Sequence, residues 1–371
     1  MISATLNVSP DLSRRTISIK GMSTPLWYEI IPPPDHTLPK IFNYDFVALA
    51  LLPLAMSLQQ NLRIYGPVSR LLLDNLEIYQ SIWENWLPVK FKKIDIIPNY
   101  EIIDTQIHQR NNATCMASGG VDSSFMLLRH FNNMEGRLNR DIKQAILVHG
   151  FDMPIDHIDG FNTLHYSVNE ICNSINTPLY TVRTNWMKNF SRDWEMMFIL
   201  GISAILHQFN SKSSFGIFAQ DNPYNNETIP WSNNSMSNAF LSGGRLKIQP
   251  CGGSYTRSQK ITYLSQFPKI VNNLRVCWEG MRDGTNCGVC EKCIRTQLDF
   301  HLAKTPLPWP FKVPLTPARV ATIVAKNSAQ LSFLINILNE FDKKNNPDDA
   351  PLCVALHECI AASQKYQNKI L

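Results

Sequence analysis

No stretch of this chain is apolar for long enough to cross a membrane. The most apolar run, Phe46 to Leu58, is thirteen residues interrupted by Pro53. A spanning helix needs about 20 residues, so the run reads as a buried helix and no membrane partner is expected. Low-complexity tracts are absent, and 44% apolar with 18% charged residues excludes a disordered or fibrous chain. Neither sign of charge is in large excess: 35 basic against 30 acidic residues give +5, without clustering. That balance favours anionic ligands weakly, and nucleic acid is not implied. Met1-Ile2-Ser3-Ala4 lacks a basic segment followed by an apolar one, so no secretory signal is expected and a cytoplasmic location is. The Walker pattern G-x-x-x-x-G-K-[ST] is missing, as is any Cys-Pro pair. These two absences set aside a P-loop NTPase and the common ferredoxin signature. At 371 residues the chain can hold two domains and a substantial core.

What is present is concentrated in two places. Ala117-Ser118-Gly119-Gly120-Val121-Asp122-Ser123-Ser124 follows the β-prone run Ala113 to Ala117 and opens the apolar run Phe125 to Leu128. Strand, glycine turn and helix point backbone N–H groups at a bound phosphate. Gly119 and Gly120 allow close backbone approach, and Ser118, Ser123 and Ser124 add hydroxyls. Asp122 is a poor direct phosphate ligand but a good Mg²⁺ or N-cap partner.

The second place is Cys287-Gly288-Val289-Cys290-Glu291-Lys292-Cys293, with Cys277 ten positions upstream, giving C-x9-C-x2-C-x2-C. A C-x2-C knuckle lets two thiolates grip one tetrahedral ion, and four close its shell, so a Zn²⁺ held by Cys277, Cys287, Cys290 and Cys293 would be structural. Lys292 and Arg295 would offset the charge of such a site. An iron–sulfur cluster and metal-free thiols stay open as alternatives. Nine cysteines without an export signal favour a metal over disulfides. Cys115, inside the expected strand, and Cys353 and Cys359, on an expected helix, read as packed small residues.

Further candidates come from strand ends, because open α/β sheets bind ligands at the carboxyl ends of their strands. Ala145 to Val148, Leu179 to Val182 and Phe215 to Ala219 read as strands, which places Asp152, Asn185 and Asp221 just beyond them. Arg257 and Lys260 stand one helical turn apart and can face a polyphosphate or carboxylate together. Loop capping and a solvated helix face are the plain alternatives for these residues.

The Ser118–Ser124 loop resembles the PP-loop of ATP pyrophosphatases. Its combination with the downstream Cys-Gly-x-Cys-x-x-Cys resembles the 7-cyano-7-deazaguanine synthase (QueC-like) family over Asn111 to Phe300. The resemblance implies an α/β, Rossmann-like parallel sheet of the adenine nucleotide alpha hydrolase type. It also implies ATP, Mg²⁺ and Zn²⁺, and catalytic roles for Ser118, Asp122, Ser123, Arg257 and Lys260. Ser118 through Ser124, with Asp152, Asn185 and Asp221, would bind the nucleotide and its partner substrate. The implied activity is adenylation of a 7-deazaguanine-type carboxylate followed by attack of an amine, a C–N bond-forming ligation.

The chain also departs from that family. About 110 residues precede the loop. Arg14 to Met22, Leu26 to Ile31 and Phe91 to Ile97 read as strands, and Asp45 to Gln60 and Pro67 to Trp86 as helices. The expected organisation is an accessory α/β module over 1–110, a PP-loop domain with its cysteine site over 111–300, and a helical tail over 301–371. In that tail a proline-rich wrap from Pro306 to Pro314 precedes helices over Arg319 to Phe341 and Pro351 to Lys365, read as a clamp on the core or the interface of a homodimer. The added length resembles QueC-like (QatC-like) members of bacterial anti-phage systems, Qat and type IV CBASS, where the base is joined to a partner protein. Free 7-cyano-7-deazaguanine synthesis and a non-catalytic PP-loop/zinc scaffold are the alternatives. Nothing resembles a glutaminase domain, so free ammonia or an amine is the expected nucleophile.

Overall fold

A computed structural model describes residues 1–103, 111–277, 279 and 282–368. Its strands are β1 (Ile2–Val8), β2 (Arg14–Ile19), β3 (Leu26–Ile31), β4 (Leu62–Ser69), β5 (Ile96–Ile102), β6 (Asn112–Met116), β7 (Asp141–His149), β8 (Leu179–Thr184), β9 (Phe215–Ala219) and β10 (Lys247–Cys251). Helices α1 (Asp45–Leu58), α2 (Arg70–Trp86), α3 (Val121–Phe131), α4 (Ile158–Asn173), α5 (Trp186–Phe190), α6 (Trp194–His207) and α7 (Ser235–Asn238) run between the strands. After β10 the chain is helical: α8 (Arg257–Leu264), α9 (Pro268–Asn273), α10 (Glu291–Leu302), α11 (Pro317–Ala321), α12 (Ser328–Lys344) and α13 (Ala350–Gln367).

The chain divides into two compact units. The first holds residues 1–118, 126–156 and 172–254, and with them every strand. They form one mixed, mostly parallel ten-stranded sheet in the order β10-β9-β6-β7-β8-β3-β2-β1-β4-β5. Pairing is parallel from β10 through β8 and from β1 through β5, and antiparallel where β3 meets β8 and along β3-β2-β1. Strand β9 and the Ala145 to Val148 part of β7 are continuous apolar runs, as parallel strands covered on both faces must be.

The strands before residue 110 therefore extend the same sheet, and the compact units do not divide there. Residue 110 itself, like the last three of the expected 301–371 tail, lies outside the described residues. Two expected boundaries are corrected. Pro67 to Ser69 belong to β4, and α2 starts only at Arg70. The strand expected over Phe91 to Ile97 begins at Ile96, because Phe91 and Ile94 are spent as buried anchors of an irregular connection. The long tail helix expected from Arg319 is broken into α11 and α12.

The run from Phe46 is a buried helix as expected: α1 is buried from Asp45 to Met56. Its polar entry is neutralised locally. Asp45 accepts hydrogen bonds from Ser69 N and Oγ, both at 2.7 Å, and from Asn43 at 3.0 Å. Helix α1 packs in one core with α6, and Trp186 Nε1 donates to Ala50 O at 2.7 Å.

The second unit holds residues 119–125, 157–171 and 255–371. Its apolar core joins α10 through Ile294, Leu298 and Leu302 to α12 and α13 through Leu334, Phe341 and Leu356. Cys359 is fully buried there, and Cys353 packs against its rim, in keeping with small packed residues. Among the described residues, no helix is long and apolar enough to cross a membrane.

Gly201 gives a test of the α6 packing. A Cβ there would stand 2.5 Å from the ring of the fully buried Trp186. Glycine to alanine inside a helix ordinarily gains about 1 kcal/mol. Here overpacking reverses the sign, and Gly201→Ala should lose about 1–3 kcal/mol. Urea unfolding should show a lower midpoint with an unchanged slope.

Candidate functional site

Strand β6 ends at Met116, and α3 begins at Val121 after the turn Ser118-Gly119-Gly120. Gly119 sits at φ +76°, a left-handed conformation that favours glycine. A Cβ there would also come within 2.8 Å of Val168. Ser124 N closes the first helical turn on Gly120 O at 3.0 Å, and Ser123 Oγ donates to the same carbonyl at 3.2 Å. Ser124 is fully buried, its hydroxyl without a hydrogen-bond partner among the described residues. The Ser123 side chain therefore helps shape the first turn of α3.

In the second unit the start of α3 meets helix α8. Thr256 caps α8 in a complete capping box with Gln259, which fixes the helix start and sets Arg257 and Lys260 one turn apart. Both reach Asp122: Lys260 Nζ lies 2.8 Å from Oδ1 and Arg257 Nη1 3.0 Å from Oδ2. The structure thus brings together three of the predicted catalytic residues. The Lys260 side chain is 0% exposed and that of Asp122 22%. Burial alone would raise the Asp122 carboxyl, but Lys260 and Arg257 outweigh it and hold Asp122 down at about 2. Burial in turn lowers the Arg257 guanidinium from its ordinary value.

Two residues of α10 that sequence reasoning missed complete the group. Arg257 Nη2 donates to Thr296 Oγ1 at 3.0 Å, and Arg257 Nε faces Asp299 Oδ2 at 3.6 Å. Asp299 is fully buried, accepts from Ser258 Oγ at 2.5 Å, and is pushed up by burial to about 6 against the pull of Arg257. The signal available was spacing: Thr296 and Asp299 stand three apart, on one face of the helix that follows the cysteine knuckle.

The four cysteines also converge in the second unit. Their sulfurs all lie within 4.8 Å of one another. Cys277–Cys287 is 3.5 Å, and Cys277–Cys290 and Cys287–Cys293 are 3.8 Å. Thiolates about 2.3 Å from one tetrahedral zinc would be spaced about 3.8 Å apart. The cluster can hold a single metal ion, and its spacing is compatible with zinc. Val289 N and Cys290 N both point at Cys287 Sγ at 3.4 Å. Gly288, at φ +80°, passes where a Cβ would strike the Val313 carbonyl at 2.3 Å. Asn286 ties the two arms together, accepting from Val276 N and Cys277 N and donating to Leu274 O and Pro310 O. The neighbouring Cys277 pushes the Cys290 thiol up to about 12. A bound cation would remove that penalty.

In the first unit, Ser118, Asp152, Asn185 and Asp221 all follow carboxyl ends of the parallel strands β6, β7, β8 and β9. Asp152 is exposed. Asn185 is committed elsewhere: Oδ1 accepts from Trp27 N at 3.0 Å and Nδ2 donates to Pro25 O at 2.9 Å, stitching β8 to the start of β3. Asp221 accepts from Trp231 Nε1 at 3.0 Å. Its neighbour Asn222, not singled out from sequence, is 1% exposed, and neither end of its amide has a hydrogen-bond partner among the described residues. Cys115 is buried within β6, where burial raises its thiol well above the ordinary value.

Compared with protein-family models, with curated proteins and with solved structures, the chain matches none.

Two outcomes follow from this geometry. Purified protein should carry about one zinc per chain by elemental analysis, and Cys290→Ser should lose it and lower the melting temperature. A brown protein absorbing near 400 nm would instead indicate iron and sulfide. The second concerns Asp122, whose folded value of about 2 lies below the ordinary 3.8. Its contribution is therefore fully present above pH 3.8 and lost as pH falls through about 2. Asp122→Asn should cost about 2 kcal/mol at pH 7, and the gap to the native protein should close on acidification through that window.

Proposed function

We propose that this protein is an ATP-dependent ligase of the PP-loop type, which adenylates a 7-deazaguanine-type carboxylate and passes it to an amine. One observation carries the reading. The carboxylate in the first turn of the helix after Gly119-Gly120 gathers two buried cations, Lys260 and Arg257, at 2.8 and 3.0 Å. Around Asp122 and Asp299 stand Arg257, Lys260, Lys292 and Arg295, against the acids Asp122, Asp299 and Glu291. Several cations therefore gather at the start of the helix that follows the glycine turn, an electrostatic environment suited to a polyphosphate.

The chemistry follows from the leaving groups. A carboxylate oxygen attacks the α-phosphorus of ATP, the bond to the β-phosphate oxygen breaks, and pyrophosphate departs. The acyl adenylate then accepts an amine nitrogen at its carbonyl carbon. AMP leaves with the electron pair of the acyl C–O bond, and the amine loses a proton to solvent. Lys260 and Arg257 would neutralise charge growing on the departing pyrophosphate, while Asp122 keeps both cations aimed at the turn when no nucleotide is present. Zn²⁺ on the four thiolates would be structural, since four protein ligands leave no open position. The amine comes from a partner protein in an anti-phage setting of the Qat or type IV CBASS kind, or from free ammonia.

The test is incubation with ATP, Mg²⁺ and 7-carboxy-7-deazaguanine, with and without ammonium, followed by mass spectrometry. AMP and pyrophosphate should form in equal amounts. A free amide or nitrile identifies ammonia as acceptor, and a base retained or appended to protein identifies a protein amine. Asp122→Ala should lower pyrophosphate release by about 100-fold or more. Normal turnover in that variant would sink the proposal.

A further inference from the structure

Arg257 is held from three sides, and only one of them belongs to the glycine turn. Nη1 meets Asp122 Oδ2 at 3.0 Å, Nη2 meets Thr296 Oγ1 at 3.0 Å, and Nε faces Asp299 Oδ2 at 3.6 Å. The last two partners come from α10, whose N-cap is Cys290 and whose first turn carries Cys293. Thr296 is fixed in turn, its hydroxyl donating to Lys292 O at 2.7 Å. Asp299 is fixed by Ser258 Oγ, on the same helix as Arg257. Neither Asp299 Oδ2 nor Arg257 Nε has a hydrogen-bond partner among the described residues, and both are buried. The pair is therefore an ion pair held by charge and packing, without an aligned hydrogen bond.

An arginine side chain has four rotatable bonds and loses its aim unless its neighbours fix it. Asp122 cannot do this throughout a reaction, because a polyphosphate in the turn would compete with it for the same guanidinium. Thr296 and Asp299 lie on the far side of that guanidinium and would be undisturbed.

We propose that Asp299 is a positioning residue that holds Arg257 aimed at the Gly119-Gly120 turn. Its carboxylate fixes Nε from behind, Thr296 fixes one terminal nitrogen, and the other is left to work at the turn. The catalytic part of the proposal rests on the ligase reading above, whereas the positioning part does not. The arrangement also makes the thiol cluster useful to the site. A metal held by Cys277, Cys287, Cys290 and Cys293 would pin the first turn of α10, the helix that carries Thr296 and Asp299.

The experiment has two arms, both on the full chain. Asp299→Asn keeps the shape and an acceptor for Ser258 while removing the charge, and Thr296→Val removes the other contact should Asp299→Asn fail to fold. Zinc content equal to that of the native protein serves as the check on folding. In the first arm, crystal structures are compared in an Asp122→Asn background, where that carboxylate no longer holds the guanidinium: Arg257 should stay against Thr296 while Asp299 is intact and leave it when Asp299→Asn is added. A guanidinium still seated 3.0 Å from Thr296 without the Asp299 charge would overturn the proposal whether or not the protein turns over ATP. In the second arm, Asp299→Asn should lower the rate of pyrophosphate release about tenfold or more with little change in the KM for ATP. Arg257→Ala and the double variant Arg257→Ala/Asp299→Asn should be equally slow, because Asp299 acts only through Arg257. Multiplying losses would show an independent role and overturn the inference. Failure of the native protein to release pyrophosphate would remove the ligase reading and leave the positioning claim to the structural arm.

Discussion

The site depends on the cost of burying Lys260. Its side chain is fully buried, and a lone ammonium in that position would lose most of its hydration. Asp122 makes the burial tolerable, and it can do so because the Gly119-Gly120 turn delivers it to the first turn of α3. Arg257 doubles the arrangement from one turn away on α8. The result is a carboxylate that stays ionised well below neutral pH and two cations that cannot drift into solvent. A buried ion pair of this kind is poor evidence for stability in itself, since apolar replacements often fold as well. Its place at the start of the helix after the glycine turn is what the proposed function rests on.

How much of this was legible in the sequence follows from how local each cause is. Strand β9 occupies Phe215–Ala219 as read, because a five-residue apolar run bounded by polar residues has few other options. The strand-turn-helix order around Ser118 was legible because glycine pairs and apolar periodicity are local signals. The convergence of the cysteines was legible because metal chelation imposes its spacing on the sequence. Arg257 and Lys260 were legible as a pair, through helical spacing, but nothing in the sequence named Asp122 as their shared partner 135 and 138 residues away. For Asp299 the sequence offered only its spacing to Thr296 on the helix after the cysteine knuckle, and no local sign that the acid is fully buried or which cation it faces.

The edges of the sheet were the least legible. Strands β1, β4 and β10 went unread. Strand β4 was partly absorbed into the helix that follows it, since Leu62–Ser69 contains both Gly66 and Pro67, residues that ordinarily argue against a strand. The ladder between β4 and β5 does shift register between Ile64 and Pro67. Gly66 sits there against the Tyr44 ring, where a Cβ would clash at 2.1 Å. The two breakers therefore mark an irregular ladder within the strand rather than its end.

The N-terminal residues were separable by sequence and inseparable in the sheet, and the reason lies at β3. Strand β8 would otherwise be the edge of a parallel sheet, presenting unpaired backbone groups. Strand β3 covers it in antiparallel register from Tyr28↔Thr184 to Ile31↔Thr181. The amide of Asn185 and the Thr184 hydroxyl, bonded to Trp27 O at 2.7 Å, reinforce the seam from β8. Arg183 adds an ion pair to Glu29 at 2.9 Å. An accessory segment joined this way shares its backbone hydrogen bonds with the strands that follow the glycine turn, so removing it would expose β8 rather than merely shorten the chain. Whatever the first hundred residues bind, they are first a structural part of the sheet from which the glycine turn emerges.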